Sequence, residues 1–248
     1  MHSNLAPIKI TDKHLVTSAD SDFKRRIKPG AFVNCLIQTA SKHAHLLGWG
    51  IDVLNELNYD WVLSGLKFYI HEYPKLEEEI VVLSWPKQVN KLYYPRDFIV
   101  YNSNGKEIGK ATSNWLIINR DSRRPKLLNQ NESLLKRNEG INALNEELTN
   151  IPIKLNPESE FRDSVKYSDI DLNSHLTATR YIDFAIDTFS LEQLSSKLPK
   201  EIHVTYLREV SFGMDITIEK FSPSKDNYLF QMVSEPQKSI CFQAAIKC

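Results

Sequence analysis

Residues 165–189 read VKYSDIDLNSHLTATRYIDFAIDTF, a polar turn that leads directly into a helix with one apolar face. Apolar residues recur there at steps of three and four, the spacing that lines one side of an α-helix: Ala178, Tyr181, Ile182, Ala185, Ile186 and Phe189. Asp171, Asn173 and His175 stand just before this helix. A helix start also has backbone N–H groups that can bind an oxyanion. The stretch therefore predicts a buried helix beside a candidate catalytic loop.

Two other interpretations of this loop are weighed against catalysis. Asp169, Asp171 and Asn173 occupy positions 1, 3 and 5 of a calcium-binding loop, but such a loop needs Gly at position 6 and Glu at position 12. The chain has Ser174 and Arg180 there, which disfavours calcium. Simple capping of a helix N-terminus explains the same polar residues, and for the stretch alone it is the better hypothesis.

The composition is that of an ordinary globular chain. Of its 248 residues 42% are hydrophobic and 25% charged, enough for a sizeable core in one large or two small domains. The formal net charge is zero, so no overall field indicates nucleic acid or a membrane as partner. Cys35, Cys241 and Cys248 lack metal-ligand spacing and suit a reducing compartment. Because no signal core or membrane-length apolar run is visible, we expect a cytoplasmic protein. We also expect no cofactor.

The N-terminal part of the chain repeats the helix-and-strand pattern. An apolar stripe that starts after Pro29 and stops near Gly48 predicts a buried helix of about five turns. From Trp61 the period becomes strand-like, with runs at 61–63, 66–73, 79–85, 92–101 and 108–119. The turn at 102–105 predicts a hairpin, and Pro95 predicts an edge or a bulge.

The order of elements predicts an α+β protein of two similar halves. Residues 129–150 are polar and predict a linker with one or two short helices. After the second helix, strands are expected near 201–210, 215–221, 228–234 and 240–246. We therefore expect an N-terminal domain at 1–128, a linker at 129–158 and a C-terminal domain at 159–248 that carries the catalytic loop.

An internal repeat distinguishes the two loops. A constant offset of 149 residues, from Asp20 to Asp169, also places Asp22 on Asp171, Lys24 on Asn173 and Arg26 on His175. Capping alone should accept Asn or Ser equally well in both loops. The replacement of the polar residues by cations in the first copy therefore favours a single functional site in the second half.

Two groups of basic residues accompany the first half. The first consists of Lys24, Arg25, Arg26 and Lys28, and the second of Arg120, Arg123, Arg124 and Lys126. Charge runs of this kind are most often solvated faces. The alternative is a surface that binds an acidic partner.

Over almost its full length the chain resembles the acyl-ACP thioesterases, bacterial relatives of the plant plastid enzymes. The segments that carry the resemblance are VKYSDIDLNSH at 165–175, YLRE at 206–209, RDF at 96–98, ATSNW at 111–115 and RRP at 123–125. The resemblance implies a tandem (double) hotdog fold, in which each half is a long helix wrapped by an antiparallel sheet. It also implies hydrolysis of fatty acyl-acyl carrier protein, which releases the free fatty acid and ends chain elongation.

By position, the resemblance puts the catalytic residues at Asp171, Asn173, His175 and Glu209. Two departures from the family pattern matter: Thr177-Ala178 stands in place of an Asn pair, and Val210 in place of the Cys of the plant enzymes. We expect Glu209 to act as general base, His175 and Asn173 to stabilise the oxyanion with a backbone N–H at the helix start, and Asp171 to orient one of them. Direct attack by Glu209 stays an alternative.

The resemblance also sets expectations for substrate and partners. The acyl chain should enter the first half, with Val33, Ile37, Trp61, Leu63 and Leu66 as candidate lining residues. Acyl carrier proteins are acidic, so Lys24, Arg25, Arg26, Arg120, Arg123, Arg124 and Lys126 are candidates for carrier docking. An acyl-CoA thioesterase and a non-catalytic protein that binds acyl thioesters are the competing functions. The sequence leaves a homodimer open.

Overall fold

The computed structural model describes residues 8–127, 140–153 and 155–248. In the first half, the elements in chain order are β1 Ile10–Leu15, α1 Pro29–Leu46, α2 Ile51–Glu56, β2 Tyr59–Ile70, β3 Glu79–Pro86, β4 Tyr94–Asn102 and β5 Glu107–Asn119. In the second half they are β6 Ser159–Ser164, α3 Ala178–Ile186, α4 Leu191–Ser196, β7 Glu201–Tyr206, β8 Asp215–Ser224, β9 Asn227–Ser234 and β10 Ser239–Lys247.

The described strands form one antiparallel sheet with an internal symmetry. Its strand order is β1-β3-β4-β5-β2-β7-β10-β9-β8-β6, so the second half repeats the order of the first in reverse. The halves join where β2 pairs with β7, with Leu66 opposite Val204 and Lys67 opposite His203. This arrangement confirms the predicted repeat and the α+β, double-hotdog fold.

The central helices α1 and α3 pack against each other and against the sheet. Pro29 lies at the start of α1 and Gly48, with a φ of 80°, follows its end, as the sequence predicts. Helix α3 begins at Ala178, where the 149-residue offset places the start of α1, but it has 9 residues against 18 in α1. The shorter helix ends at Ile186 because Ser190 caps a new helix, α4, with its side chain bound to the Gln193 N–H.

Two strand predictions are corrected by the pairing. The runs at 61–63 and 66–73 are one strand, β2, whose pairing with β5 shifts between Leu63 and Gly65. Pro95 does not mark a sheet edge, because β4 lies between β3 and β5. Pro95 lies opposite Asn114 of β5, and its lack of an N–H is tolerated because the pairing of β4 with β3 ends one residue away, at Pro86 opposite Arg96.

The linker crosses the outer face of the sheet, the face opposite the helices. The Trp85 indole donates to the Ile141 carbonyl (3.1 Å), the Ala143 N–H donates to Asp97 (2.7 Å), and Glu146 pairs with Lys67. Residues 140–153 contain neither helix nor strand, so the predicted linker helices are absent from this part of it. Linker residues 129–139, which include Leu134 and Leu135, and residue 154 lie outside the described residues. The domain boundaries at 128/129 and 158/159 stay a prediction.

Among the described residues, no helix is both long enough and apolar enough to span a membrane.

Candidate active site

The loop before α3 is built around the Asp171 carboxylate. Asp171 Oδ1 accepts the backbone N–H groups of Asn173 (2.8 Å) and His175 (3.3 Å), while its carbonyl accepts that of Ser174 (3.0 Å). Ser174 has a φ of 63°, in the left-handed region that such a tight turn requires. All three N–H groups are thus used inside the loop, so the oxyanion donor that we predicted from the backbone does not come from them.

The first half contains the same loop. Asp22 Oδ1 accepts the N–H groups of Lys24 (2.8 Å) and Arg26 (2.9 Å), and Arg25 has a φ of 63°. The bridges Ser21–Ile27 and Ile170–Leu176 occupy positions related by the 149-residue offset. The aspartate is therefore explained by the fold of the loop in both halves. The shared backbone geometry of the two loops does not explain why Lys24 and Arg26 of the first half are replaced by Asn173 and His175 in the second.

The carboxylates of this loop do not converge on a common cation site. Asp169 is buried and pairs with Arg180 (Oδ1–Nε 2.9 Å), and its other oxygen accepts the Lys166 N–H (2.9 Å). Asp171 holds the loop backbone. This geometry supports the sequence argument against calcium.

Glu209 is brought to His175 by the backbone on either side of it. The Leu176 N–H donates to the Val210 carbonyl (2.7 Å), and His175 forms a bridge with Ser211. Glu209 Oε2 then lies 3.6 Å from His175 Nε2, with both side chains about one third exposed (37% and 30%). Burial, followed by the nearby Arg123 cation, lowers the pKa of His175, while Asp171 and Asp60 oppose the shift. The imidazole is therefore neutral at physiological pH.

Two departures from the family pattern have structural counterparts. The Thr177 N–H donates to the Asp169 carbonyl (2.9 Å), and the Ala178 carbonyl accepts the Tyr206 hydroxyl (2.9 Å), so backbone groups hold this helix start. Val210 is buried and contributes only its carbonyl to the loop. The residue after Glu209 therefore offers no nucleophile.

Three first-half residues complete the surroundings of Glu209: Arg120 and Arg123, which the sequence indicated as docking candidates, and Asp60, which it did not single out. Arg123 Nη2 pairs with Glu209 Oε1, and Arg123 Nη1 lies 3.8 Å from Asp60 Oδ2. Arg120 binds Asp60 Oδ1 through Nε (2.9 Å) and Nη2 (2.6 Å). The sequence signal that could have found Asp60 is its acidic side chain within the aromatic and apolar run of β2.

An apolar cavity of about 320 Å³ opens beside this group, between α1 and the first-half sheet. Leu172 and Asn173 of the catalytic loop reach it from the second half, and Asp60 also lines it. Of the predicted lining residues, Ile37 and Trp61 face the cavity. Val33, Leu63 and Leu66 are buried core residues outside its wall.

The second half has an aromatic side chain where the first half has space. Ala40 lines the cavity, and the 149-residue offset places Phe189 at its position in the second half. Phe189 is buried and its ring lies 4.8 Å from that of Tyr228 and 5.8 Å from that of Phe230. The repeat therefore retains its fold while the corresponding space in the second half is filled.

The candidate docking residues separate into two places. Arg120 and Arg123 bind Asp60 at the start of β2, and Arg124 and Lys126 are exposed close by in sequence. Arg26 lies beyond the other end of β2, where its backbone forms a β-bridge with Lys75. Its side chain pairs with Asp22 and donates to the Leu194 carbonyl. Lys24 and Arg25 are exposed in the same loop. Ten residues of strand separate Asp60 from Ile70, about 33 Å at 3.3 Å per residue. The two basic groups therefore form separate patches, and their part in carrier docking stays a prediction.

The geometry suits attack by water on an acyl group held in the cavity. A carboxylate faces a neutral imidazole, and the amide side chain of Asn173 lies at the wall of an apolar cavity. Such a set provides a base for water and donors for an oxyanion.

Comparison with known proteins gives this geometry a family. A model described as the acyl-ACP thioesterase N-terminal domain matches residues 7–132, and one described as the C-terminal domain matches residues 154–244. The chain is 24% identical over 217 residues to oleoyl-acyl carrier protein thioesterase 2, chloroplastic, of Arabidopsis thaliana and 23% identical over 243 residues to the corresponding protein of Coriandrum sativum. These alignments cover 80% and 87% of this chain but 59% and 63% of the plant proteins, so the chain spans less than two thirds of these relatives.

Solved structures agree with this assignment. The crystal structure of an acyl-ACP thioesterase from Bacteroides thetaiotaomicron superposes with a TM-score of 0.87 at 29% identity, over 96% of this chain and 97% of that one. The 12:0-ACP thioesterase of Umbellularia californica superposes with a TM-score of 0.83 at 16% identity, over 98% of each chain, which shows the shared fold. Because the two family models together match most of its length, the chain belongs to the acyl-ACP thioesterase family.

Proposed function

We propose that this protein hydrolyses the thioester between a fatty acyl chain and acyl carrier protein, releasing the free fatty acid. The observation that carries the proposal is the position of His175 and Glu209 beside Asn173, which lines an apolar cavity. Membership of the family and the names of the plant relatives support the same substrate class. The free thiols of Cys35, Cys241 and Cys248 suit a reducing compartment, and the proposal places the protein in the cytoplasm.

In the proposed mechanism the acyl chain occupies the cavity and its thioester carbonyl lies next to Asn173. Glu209 takes a proton from a water molecule through Oε2, the oxygen that faces His175, and the water oxygen attacks the carbonyl carbon. The Asn173 amide and the neutral His175 stabilise the oxyanion. When the tetrahedral intermediate collapses, the carbon–sulfur bond breaks and the thiolate receives the proton that Glu209 had taken.

Direct attack by Glu209 is the chemical alternative, because a carboxylate can form a mixed anhydride with an acyl group. Labelled water that attacks the glutamyl carbonyl of that anhydride leaves the label in the Glu209 side chain, whereas attack on the acyl carbonyl places it in the fatty acid. General-base catalysis places the label only in the fatty acid. Label found in the Glu209 peptide by mass analysis after turnover in labelled water would therefore favour direct attack.

The function is tested by steady-state hydrolysis of medium- and long-chain acyl-ACP by the wild type, His175→Ala and Glu209→Gln. We expect each substitution to lower kcat at least a hundredfold, as loss of a general base or an oxyanion donor does. Glu72→Gln is the matched control. Tyr69-Ile70-His71-Glu72 resembles Tyr206-Leu207-Arg208-Glu209 in the repeat, with a shorter loop before it in the second half, and Glu72 pairs with Lys106 at the surface.

Three results would redirect the assignment. Binding of acyl-ACP without release of fatty acid by the wild type would favour a non-catalytic acyl-thioester-binding protein. Faster hydrolysis of acyl-CoA than of acyl-ACP at equal chain length would favour the acyl-CoA thioesterase. Equal loss of activity in Glu72→Gln and Glu209→Gln would remove Glu209 from the mechanism.

A further inference from the structure

Arg123 lies in the turn that follows β5, where it bridges carboxylates from the two halves of the chain. Its Nη2 pairs with Glu209 Oε1 of the second half, and its Nη1 lies 3.8 Å from Asp60 Oδ2 of the first. Asp60 in turn is held by two contacts from Arg120, at 2.9 and 2.6 Å. Arg123 itself has a φ of 53°, so an L side chain occupies a conformation that such residues rarely adopt. The guanidinium is thus anchored on one side and meets Glu209 on the other.

This ion pair contributes little to folding. The Arg123 and Glu209 side chains are each 37% exposed, and exposed pairs of this kind add at most about 1 kcal/mol to stability. Its geometric effect is larger. With Oε1 bound by Arg123, Glu209 presents Oε2 to His175 Nε2, the orientation on which the proposed chemistry depends.

We propose that Arg123 is the positioning residue that fixes Glu209 opposite His175, so that the site is completed by the first half of the chain. The inference rests on the proposed function, since it assigns Glu209 a role in thioester hydrolysis. The fork of the guanidinium matters because two different nitrogens meet two different carboxylates. A lysine has one nitrogen and cannot reproduce that arrangement.

Arg123 also acts on the charge state of His175. The groups that face the imidazole are Glu209, Asp171 and Asp60, which are acidic, and Arg123. Arg123 lowers the pKa of His175, in addition to the effect of burial. Removing the cation therefore raises that pKa, and the protonated imidazole persists to higher pH. The acid limb of the pH–rate profile, in which protonation of His175 lowers the rate, should therefore move to higher pH.

The test uses Arg123→Gln, Arg123→Lys and a control, Arg162→Gln, which removes an exposed arginine from the edge strand β6. A small soluble acyl thioester serves as substrate, so that carrier docking does not enter. For Arg123→Gln we expect kcat to fall about tenfold to a hundredfold, as misplacement of a catalytic group does, with little change in KM. Arg123→Lys should keep the acid limb near its wild-type position, because the charge remains, but recover only part of kcat.

The His175 titration, followed by NMR, is measured in the same variants and needs no turnover. The expected result is a higher midpoint in Arg123→Gln than in the wild type or Arg162→Gln, with thermal unfolding unchanged. Wild-type kcat and an unshifted midpoint in folded Arg123→Gln, with Glu209→Gln inactive, would overturn the positioning role while leaving the proposed function intact. An inactive wild type would remove the proposed function, and the NMR midpoint would then decide whether Arg123 acts on His175.

Discussion

Asp171 and Asp22 hold two loops of nearly identical geometry, and only one of these loops precedes a candidate catalytic imidazole. Each carboxylate accepts the backbone N–H groups two and four residues ahead. At this scale Asp171 is a loop-forming residue, and we propose that it affects catalysis through the backbone of Asn173 and His175. The pair offers an internal control, because the same substitution can be made in both halves.

Asp171→Ala and Asp22→Ala should each lower the free energy of unfolding by about 1 kcal/mol, the cost of losing a capping acceptor. Asp22→Ala also removes the ion pair with Arg26, so its loss of stability is compared with that of Asp171→Ala after allowance for this pair. Only Asp171→Ala should lower kcat, by about tenfold or more, because it releases the backbone under Asn173 and His175. Urea unfolding and steady-state hydrolysis measure the two effects. An equal loss of kcat in both variants would contradict the assignment.

At the scale of elements, the two halves differ most in what fills the space beside the central helix. Helix α1 runs for 18 residues and leaves a cavity along Ala40, whereas α3 stops after 9 and Phe189 fills the corresponding space. We therefore propose that side-chain volume directs the acyl chain to the first half, because the strand order is the same in both halves.

Ala40→Phe transfers the aromatic side chain of the second half into the first. We expect kcat/KM for a long-chain acyl-ACP to fall at least about tenfold more than for a short-chain one, because the added ring occupies volume that distal methylenes need. Hydrolysis across a chain-length series measures the effect, and thermal unfolding checks that the helix still packs. A uniform loss at every chain length would indicate general damage and contradict this use of the cavity.

At the scale of the whole molecule, β2 and β7 join the halves and place the two polar loops at opposite ends of β2. The site end carries Arg124 and Lys126 on its surface, whereas Lys24 and Arg25 lie at the other end. A carrier protein that delivers its acyl chain to the cavity approaches the site end. The basic residues of the first loop are too distant to share that contact, about 33 Å away along the strand.

Arg124→Glu combined with Lys126→Glu should raise KM for acyl-ACP about tenfold or more through repulsion of an acidic carrier, and spare a small soluble thioester. Arg123 is left out of the variant because it contacts Glu209. Lys24→Glu combined with Arg25→Glu reverses the same charge at the other end and should leave KM near the wild-type value. The effect should weaken as salt is added. An equal rise in KM in both double variants would argue against a docking patch at the site end.

Much of this molecule follows from local sequence. The apolar stripes of α1 and α3, the start of each helix and the hairpin at 102–105 are set by residues close in the chain, where periodicity and turn chemistry act directly. The repeat predicted the shared loop, and its asymmetry indicated the half with the site. The end of α3 was missed because the apolar spacing continues to Phe189, while the Ser190 cap starts another helix.

The sequence by itself determined the central helices α1 and α3 and the repeated order of helix and strands, and its resemblance to the family gave Asp171, Asn173, His175 and Glu209 as a candidate set. Only the tertiary structure decided that Arg123 joins Asp60 to Glu209, that Ala40 faces a cavity and that the basic groups lie apart. The physical reason is that these contacts join residues distant in the sequence, through the register of β2 with β7 and the packing of α1 on its sheet. Local periodicity specifies which face of an element is buried, but which distant side chain meets it depends on how the elements pair.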